Sequence, residues 1–450
     1  MLTMAHGSFR KPFIVKAFRI LGPSLGEGGK RLRKAALFTA CFLSLAASGV
    51  GARDLTLAEA EVLLARYNRE LLAARRAIES AEAQGMIAGA RPNALFSINS
   101  SGISNNPGVG AGSLSEKRVD TVFRIDQPFE RGDKRALRLD AASGLQRAAR
   151  SDSLDVLRQQ LAALQGAYFD LKQAQERAEV LAETAQLFSG TLSAAQRRLK
   201  AGDLSAADVA KVQVDYERSQ NDARAARADQ ARGQIALAYL IGAEAEAPTL
   251  RAADPWPPLA RADAAAVEQA IDARPDVVAA RARVEVAEKL RDLARAQRTR
   301  DVVLGAQYER YPGNLPINSV GFGFAVPIFT GNDFSGDIQK AEVDRYAAMD
   351  ALARAQVVAR NELRRAAGDL NAAAERLERF DTTLLGAANQ SANASEFAFQ
   401  RGAISVLDVL DARRTLRAVR LEALAARIDY AKALAAWRAA QASVQSLEAR

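Results

Sequence analysis

Three carboxylates lie in or directly after a segment that this sequence repeats, and their spacing could support ion chemistry. Asp208 and Asp408 occupy the same position in two copies of the segment, and Asp411 follows Asp408 by three residues. Residues three apart share one face of a helix, so Asp408 and Asp411 would present two negative charges together. Lys211 takes the matching position in the first copy. Only the second copy therefore carries the doubled acid that could attract cations.

The same segments also carry the signals of helix ends. They cover residues 199–209 and 399–409, about 200 residues apart, inside long Ala-rich stretches. In each copy a glycine can end one helix in the left-handed conformation, and a serine three residues later can cap the next helix. The aspartate after that serine would complete a capping box, which is the structural alternative for Asp208 and Asp408. For Asp411 the structural alternative is only a position on the solvent-exposed face of the helix. Each copy thus predicts the tip of a helical hairpin, and a period this long indicates a duplicated domain-sized unit.

The charge and the rare residues exclude several classes of function. The formal charge is +9, but residues 1–52 hold eight of the 62 Lys and Arg and one of the 53 Asp and Glu, which leaves the remainder near +2. The basicity therefore belongs to a targeting segment, and nucleic acid is not an expected partner. His6 and Cys41 are the only histidine and cysteine. Without residues 1–52 the chain can form no disulfide, thiol nucleophile, or His- or Cys-based metal site.

Residues 1–52 predict an N-terminal extension and a secretory signal. A basic cluster at 30–34 precedes an apolar run at 35–47, and small residues at 50–52 come before Arg53. This order of charged, apolar and small regions predicts cleavage after Ala52. Cys41 faintly resembles the cysteine of a lipoprotein signal, but few apolar residues precede it, so we expect no lipid.

Four short segments alternate between large apolar and small or polar residues, the period of a β-strand. They cover about 94–103, 118–128, 301–310 and 318–327, and form two hairpins. Strands of about ten residues with one apolar face have the length that an outer-membrane barrel requires. Soluble, half-buried hairpins remain the alternative. On the barrel interpretation, four side chains of the last strand face lipid: Val320, Phe322, Phe324 and Val326.

Long helices surround each hairpin. Residues 136–198 contain no proline, and apolar residues recur every three or four positions. Some 60 residues at 1.5 Å each would make a rod of about 90 Å, which must lie against other helices as in a coiled-coil wall. The stretches 209–241, 341–399 and 406–447 have the same character. The predicted fold is mainly α with a β part, arranged as a first repeat at 53–242, a proline-rich connector at 243–262, and a second repeat at 263–450.

An ordered series of motifs resembles the outer-membrane efflux protein family, the TolC-like exit ducts. The resemblance covers residues 53–450 and includes 55–60, 68–71, 91–92, 237–242, 274–277 and both tips. Two positions depart from the family pattern: Arg69 stands where a proline is usual, and Asp301 belongs to a segment that lacks the proline expected before the third strand. Residues 127–135 resemble ducts of the CzcC and CusC heavy-metal branch. Interfacial Lys and Arg side chains would give a similar composition without a metal connection.

The resemblance implies a passive homotrimer rather than an enzyme. Each protomer would give four strands to a transmembrane β-barrel in the outer membrane and its helices to a periplasmic tunnel. Two hairpins alone could not satisfy their outer edges in lipid. No cofactor is expected. A periplasmic adaptor and an inner-membrane pump would be the partners, and heavy-metal cations the cargo, with drug efflux or type I protein secretion as the alternative. The strands argue against a purely structural coiled-coil protein or the adaptor itself.

The resemblance also implies roles for individual residues, none of them catalytic or metal-ligating. Asp408 and Asp411 map onto aspartates that line the closed periplasmic entrance, and Asp208 onto an acid of the gating bridges. Ile404 stands where TolC-type ducts place a gate arginine. The expected contacts with the adaptor lie at the two tips: Gly202, Leu204, Ser205, Gly402, Ile404 and Ser405.

Overall fold

The computed structural model describes residues 53–103, 119–263, 270–311, 317–401 and 403–449, and most of them are helical. The signal segment at 1–52 lies outside these residues. The first half of the described chain consists of β1 (Arg53–Leu55), α1 (Leu57–Tyr67), α2 (Arg69–Gly89), β2 (Leu95–Ser101), β3 (Asp120–Phe129), α3 (Lys134–Ala201) and α4 (Ala206–Ile241). No helix in these ranges is long and apolar enough to cross a membrane.

The second half shows a similar order of elements. A 3-10 helix (Glu244–Thr249) and β4 (Leu250–Ala252) lie in the connector. They are followed by α5 (Pro275–Ala296), β5 (Val302–Tyr311), β6 (Ile317–Ala325), α6 (Ser335–Arg379), a π-helical turn (Phe380–Leu384), α7 (Leu385–Gln400), α8 (Val406–Gln441) and α9 (Val444–Glu448). The 68 residues of α3 correspond to a rod of about 100 Å.

Two of the predicted helices have different bounds from those expected. The stretch predicted at 341–399 is interrupted by the π-helical turn. The stretch predicted at 406–447 ends at Gln441, because Ser443 starts a new short helix by accepting a hydrogen bond from the backbone N–H of Ser446. Serine is among the residues that favour this capping position.

The four longer strands form one antiparallel sheet in the order β2-β3-β5-β6. The central pair, β3 and β5, comes from different halves of the chain and runs from Thr121 opposite Arg310 to Phe129 opposite Val302. β2 and β6 are the edge strands. β6 ends at Ala325, so Val326 lies one residue beyond the strand in which it was predicted. The following Pro327 has no N–H with which to extend the ladder.

Two buried tyrosines hold the connector against the helices. The Tyr168 hydroxyl donates to the carbonyl of Leu55 (2.9 Å) and accepts from the backbone N–H of Ala253 (3.1 Å) and Asp254 (3.0 Å). Burial raises the pKa of Tyr168 to about 12. In the second half, the Tyr430 hydroxyl donates to Pro258 and accepts from the N–H of Ala260. Each half of the helical part therefore fixes one end of the same connector.

The apolar core is divided along the helices. One cluster lies around Leu164, Tyr168 and Leu237, and another lies around Leu363, Leu370 and Tyr430. A third cluster, close to the tips, packs Leu410 of α8 against Phe188, Val209 and Val212. This contact joins the tip of the second half to the tip of the first.

Candidate functional site

The four-stranded sheet has one apolar face and one polar face. Cross-strand pairing aligns Ile125 with Ala306 and Phe123 with Tyr308, and continues to β6 through Ala306 with Phe322. Residues of the opposite parity point to the other side. The apolar side chains of one face are Phe96, Ile98, Phe123, Ile125, Leu304, Ala306, Tyr308, Val320, Phe322 and Phe324. Its polar residues lie toward the strand ends: Ser100, Thr121, Gln127, Arg310 and Asn318. The polar face carries Ser97, Asn99, Asp120, Arg124, Asp126, Gly305, Gln307, Glu309, Ser319, Gly321 and Gly323.

The apolar face is exposed on the single chain. Phe322 is 86% exposed, Phe324 77% and Val320 66%, while Val326, beyond the strand, is 37% exposed. Apolar side chains that form a continuous exposed face mark a surface that contacts another apolar phase or partner. The sheet therefore presents this face to its surroundings rather than to a core of its own helices.

The polar face holds a continuous hydrogen-bonded network. Arg124 donates from Nε to Asp126 Oδ2 (2.7 Å) and from Nη1 to Gln307 Oε1 (2.8 Å). The Gln307 amide donates to Glu309, which also accepts from the Tyr311 hydroxyl. Sequence reasoning missed this network. The signal was present in Arg124 and Asp126 of β3 and in Gln307 and Glu309 of β5, which alternate with apolar or other residues, but their partnership depends on a pairing between the two halves.

A charged cluster joins the sheet to the helices. Lys134 Nζ lies 2.8 Å from Asp301 Oδ1, which also accepts from the backbone N–H of Arg131 (3.0 Å). The Lys134 side chain is only 5% exposed. Arg138 donates two hydrogen bonds to Glu130, at 2.5 and 2.8 Å, and these hold the pKa of Glu130 below its usual range. Asp301 belongs to the segment that lacks the proline expected before the third strand. Its carboxylate binds Arg131 and Lys134, which lie within residues 127–135.

Glycine and serine build the first hairpin tip, as the spacing predicted, and a serine begins the second helix of the other tip. Gly202 ends α3 with φ +84°, and Ser205 Oγ accepts from the backbone N–H of Asp208 (3.1 Å). The corresponding Gly402 lies outside the described residues. In the second tip Ser405 and Asp408 form a complete capping box, in which Asp408 Oδ2 accepts from the Ser405 backbone N–H (3.0 Å).

The predicted tip carboxylates differ in their partners. Asp208 accepts from the Ser205 hydroxyl (2.7 Å) and lies 3.4 Å from Lys211 Nζ, and these contacts, the hydroxyl first, hold its pKa below the usual range. Asp408 and Asp411 are exposed, as are Ser205 and Ser405, whereas Leu204 and Ile404 are half-buried. Within the residues that the structure describes, no three His, Cys, Asp or Glu side chains gather into a metal-binding group.

Salt bridges hold helix α8, which follows the second tip, against helix α4, which follows the first tip. Arg414 of α8 pairs with Asp215 of α4, and Arg417 pairs with Asp222 (3.2 Å). Together with the buried Leu410, they fix one face of α8 inside the chain. The exposed Asp408 and Asp411 are therefore held at a defined position beside the tip of the first half.

Comparison with known proteins agrees with this geometry. A family model described as outer membrane efflux protein matches residues 62–243 and 266–443. The chain is 27% identical over 383 residues to the cobalt-zinc-cadmium resistance protein CzcC of Cupriavidus metallidurans, which covers 83% of this chain and 86% of that protein. Among solved structures, the fold is similar to the outer membrane protein VceC of Vibrio cholerae, with TM-score 0.70, 19% identity, and coverage of 86% and 96%. It is also similar to CusC, with TM-score 0.69, 17% identity, and coverage of 87% and 93%.

A two-faced sheet joined to long helices is the fold that this chain shares with VceC and CusC. The chain belongs to the outer membrane efflux protein family. It is an efflux channel of the TolC type and not an enzyme, which confirms the family resemblance drawn from its motifs.

The ion pair between Lys134 and Asp301, in the charged cluster that joins the sheet to the helices, can be tested by substitution. Asp301→Ala would leave a buried ammonium without its carboxylate, and we expect a loss of about 1–3 kcal/mol because Asp301 is itself partly exposed. Thermal unfolding followed by circular dichroism in detergent would measure it. Asp344→Ala, which removes an exposed pair with Lys340, should cost at most about 0.5 kcal/mol. Equal losses in the two variants would contradict the prediction.

Proposed function

We propose that three copies of the chain close a twelve-stranded barrel in the outer membrane. The supporting observation is the sheet itself, since β2 and β6 each have one neighbouring strand within the described chain. Lipid offers no hydrogen bonds to unpaired backbone groups, so a spanning sheet must close. In this assembly the apolar face contacts lipid and the polar face lines the lumen. The two halves then act as structural repeats, each contributing one hairpin.

The helices would extend the barrel into a periplasmic tunnel, and the tips would meet a periplasmic adaptor. The tip surface consists of Gly202, Leu204, Ser205, Ile404 and Ser405, to which the sequence adds Gly402. Exposed serines and small residues at a helix end permit close approach of a partner helix. The adaptor would link this passive duct to an inner-membrane pump of the resistance-nodulation class, which supplies the energy.

Heavy-metal cations are the cargo that we propose. The observation that carries this choice is the similarity to CzcC along most of both chains, together with residues 127–135. Within the described residues of one chain, no three His, Cys, Asp or Glu side chains gather into a metal-binding group, and we assign selection of the metal to the pump. Drug efflux or type I protein secretion is the alternative.

Deletion of the gene in its own host tests the cargo. We expect lower tolerance to cobalt, zinc or cadmium salts, measured as the minimal inhibitory concentration, and recovery when the wild-type gene is returned on a plasmid. Tolerance to antibiotics and dyes serves as the control and should not change. Unchanged metal tolerance with a loss of drug tolerance or of a secreted protein would overturn the metal assignment in favour of the alternative.

The assignment of the two faces predicts a difference between neighbouring residues of β6. Phe322→Arg, one residue from the middle of β6, would place a cation in the lipid and should cost about 2–4 kcal/mol near the bilayer centre, which would impair assembly. Ser319→Arg, on the polar face of the same strand, should be milder. The yield of heat-modifiable oligomers in the outer-membrane fraction would compare them. Equal tolerance of the two substitutions would mean that β6 is not a membrane strand.

The doubled acid of the second tip predicts ion selectivity at the entrance. In a trimer, Asp408 and Asp411 would each become a ring of three carboxylates, a negative constriction that favours cations. Replacing both by Asn should reduce cation preference and relieve block by multivalent cations in planar-bilayer recordings, with assembly intact. Asp408→Asn alone should keep part of the helix cap, because the amide oxygen still accepts hydrogen bonds. Unchanged selectivity in the double variant would leave the capping box as the only role of Asp408.

A further inference from the structure

Arg124 lies against the polar face of the sheet instead of projecting from it. Its guanidinium bonds to Asp126 on its own strand and to Gln307 on β5, and its side chain is 31% exposed. The group is therefore held by two partners, one of them charged. An arginine at a pore wall would otherwise extend its charge toward the centre of the pore.

Gly305 provides the space in which this guanidinium rests. A Cβ atom at residue 305 would lie 2.4 Å from Asp126 Oδ1 and 2.6 Å from Arg124 Nη2. Both atoms are at the ends of flexible side chains, so added bulk would displace the side chains rather than the backbone. Gly323 lies directly opposite Gly305 in the pairing of β5 with β6. A Cβ atom there would lie 3.8 Å from the nearest arginine atom, an ordinary contact.

The position of Arg124 matters because the polar face is unbalanced in charge. Within the four strands this face carries the carboxylates Asp120, Asp126 and Glu309 and the single cation Arg124. The bond to Asp126 compensates one carboxylate at the wall. The remaining two give the face a net negative charge, and such charges lining a pore favour cations.

We propose that Arg124 sets the bore and the ion selectivity of the barrel lumen, and that Gly305 is the residue that permits it. While the Arg124 guanidinium is folded onto Gly305, the lumen stays wide and favours cations. This selectivity does not depend on the carboxylates at the helical tips. This inference rests on the proposed trimeric channel, in which the polar face lines the lumen. The proposed role of Arg124 and Gly305 belongs to the membrane part of the duct and is separate from the role of the tip residues.

Planar-bilayer recordings of four purified variants test the inference. Gly305→Ala should release the guanidinium into the lumen and lower the single-channel conductance, whereas Gly323→Ala, the matched control, should leave it unchanged. Arg124→Ala should raise the ratio of K⁺ to Cl⁻ permeability, measured from the reversal potential in a KCl gradient, because three positive charges leave the trimer. The double variant Arg124→Ala with Gly305→Ala should not show the lower conductance of Gly305→Ala, since no guanidinium remains to be displaced and only the Asp126 carboxylate must move from the new Cβ.

The same recordings are repeated in the Asp408→Asn, Asp411→Asn background, so that the entrance does not dominate the conductance. Equal conductance of Gly305→Ala and Gly323→Ala, or a permeability ratio unaffected by Arg124→Ala, would overturn the proposal. If Gly305→Ala fails to assemble, recovery of oligomers on adding both Arg124→Ala and Asp126→Ala, which remove the two crowded side chains, supports the steric account, and no recovery contradicts it. A wild-type protein that forms no channels would contradict the proposed function, and the assembly comparison still decides the role of Gly305.

Discussion

The backbone N–H and C=O groups along the outer edges of β2 and β6, which have no partner strand within the described chain, impose the constraint on which the rest of the structure depends. A strand at the edge of a sheet presents N–H and C=O groups that need partners, and hydrocarbon supplies none. Four strands are too few to close a barrel of the outer-membrane type. We infer that copies of the same chain complete it, which makes the exposed apolar face a lipid surface and the polar face a lumen.

The helical part extends this arrangement away from the sheet. The cluster formed by Lys134 and Asp301 connects the first helix after β3 to the start of β5, so the two hairpins and the first long helix are fixed to one another. At the other end, Leu410 and the salt bridges of Arg414 and Arg417 hold the two tips together. The long helices between these two junctions carry a divided core and surface ion pairs, as expected for rods that face water over much of their surface.

Local sequence patterns predicted the helices and strands. The side-chain networks that these patterns missed depend on pairing between residues far apart in the chain. Alternation at 318–327 predicted β6 to within two residues, and the glycine-serine spacing predicted the first tip at Gly202 and Ser205 because both signals act over a few residues. The network of Arg124 with Gln307 joins residues 183 apart, and the Lys134 pair spans 167. No local pattern encodes such pairs, since they follow from the register between β3 and β5. Asp301 appeared only as a departure from the family pattern until the structure gave it a partner.

The number of chains in the detergent-extracted particle tests the central claim most directly. Native mass spectrometry of protein purified from the outer-membrane fraction should give three times the mass of the mature chain, and heating should convert this species to a single chain. A particle that contains one chain, stable in the outer membrane, would contradict the account, because its sheet would then have to satisfy two open edges without a partner.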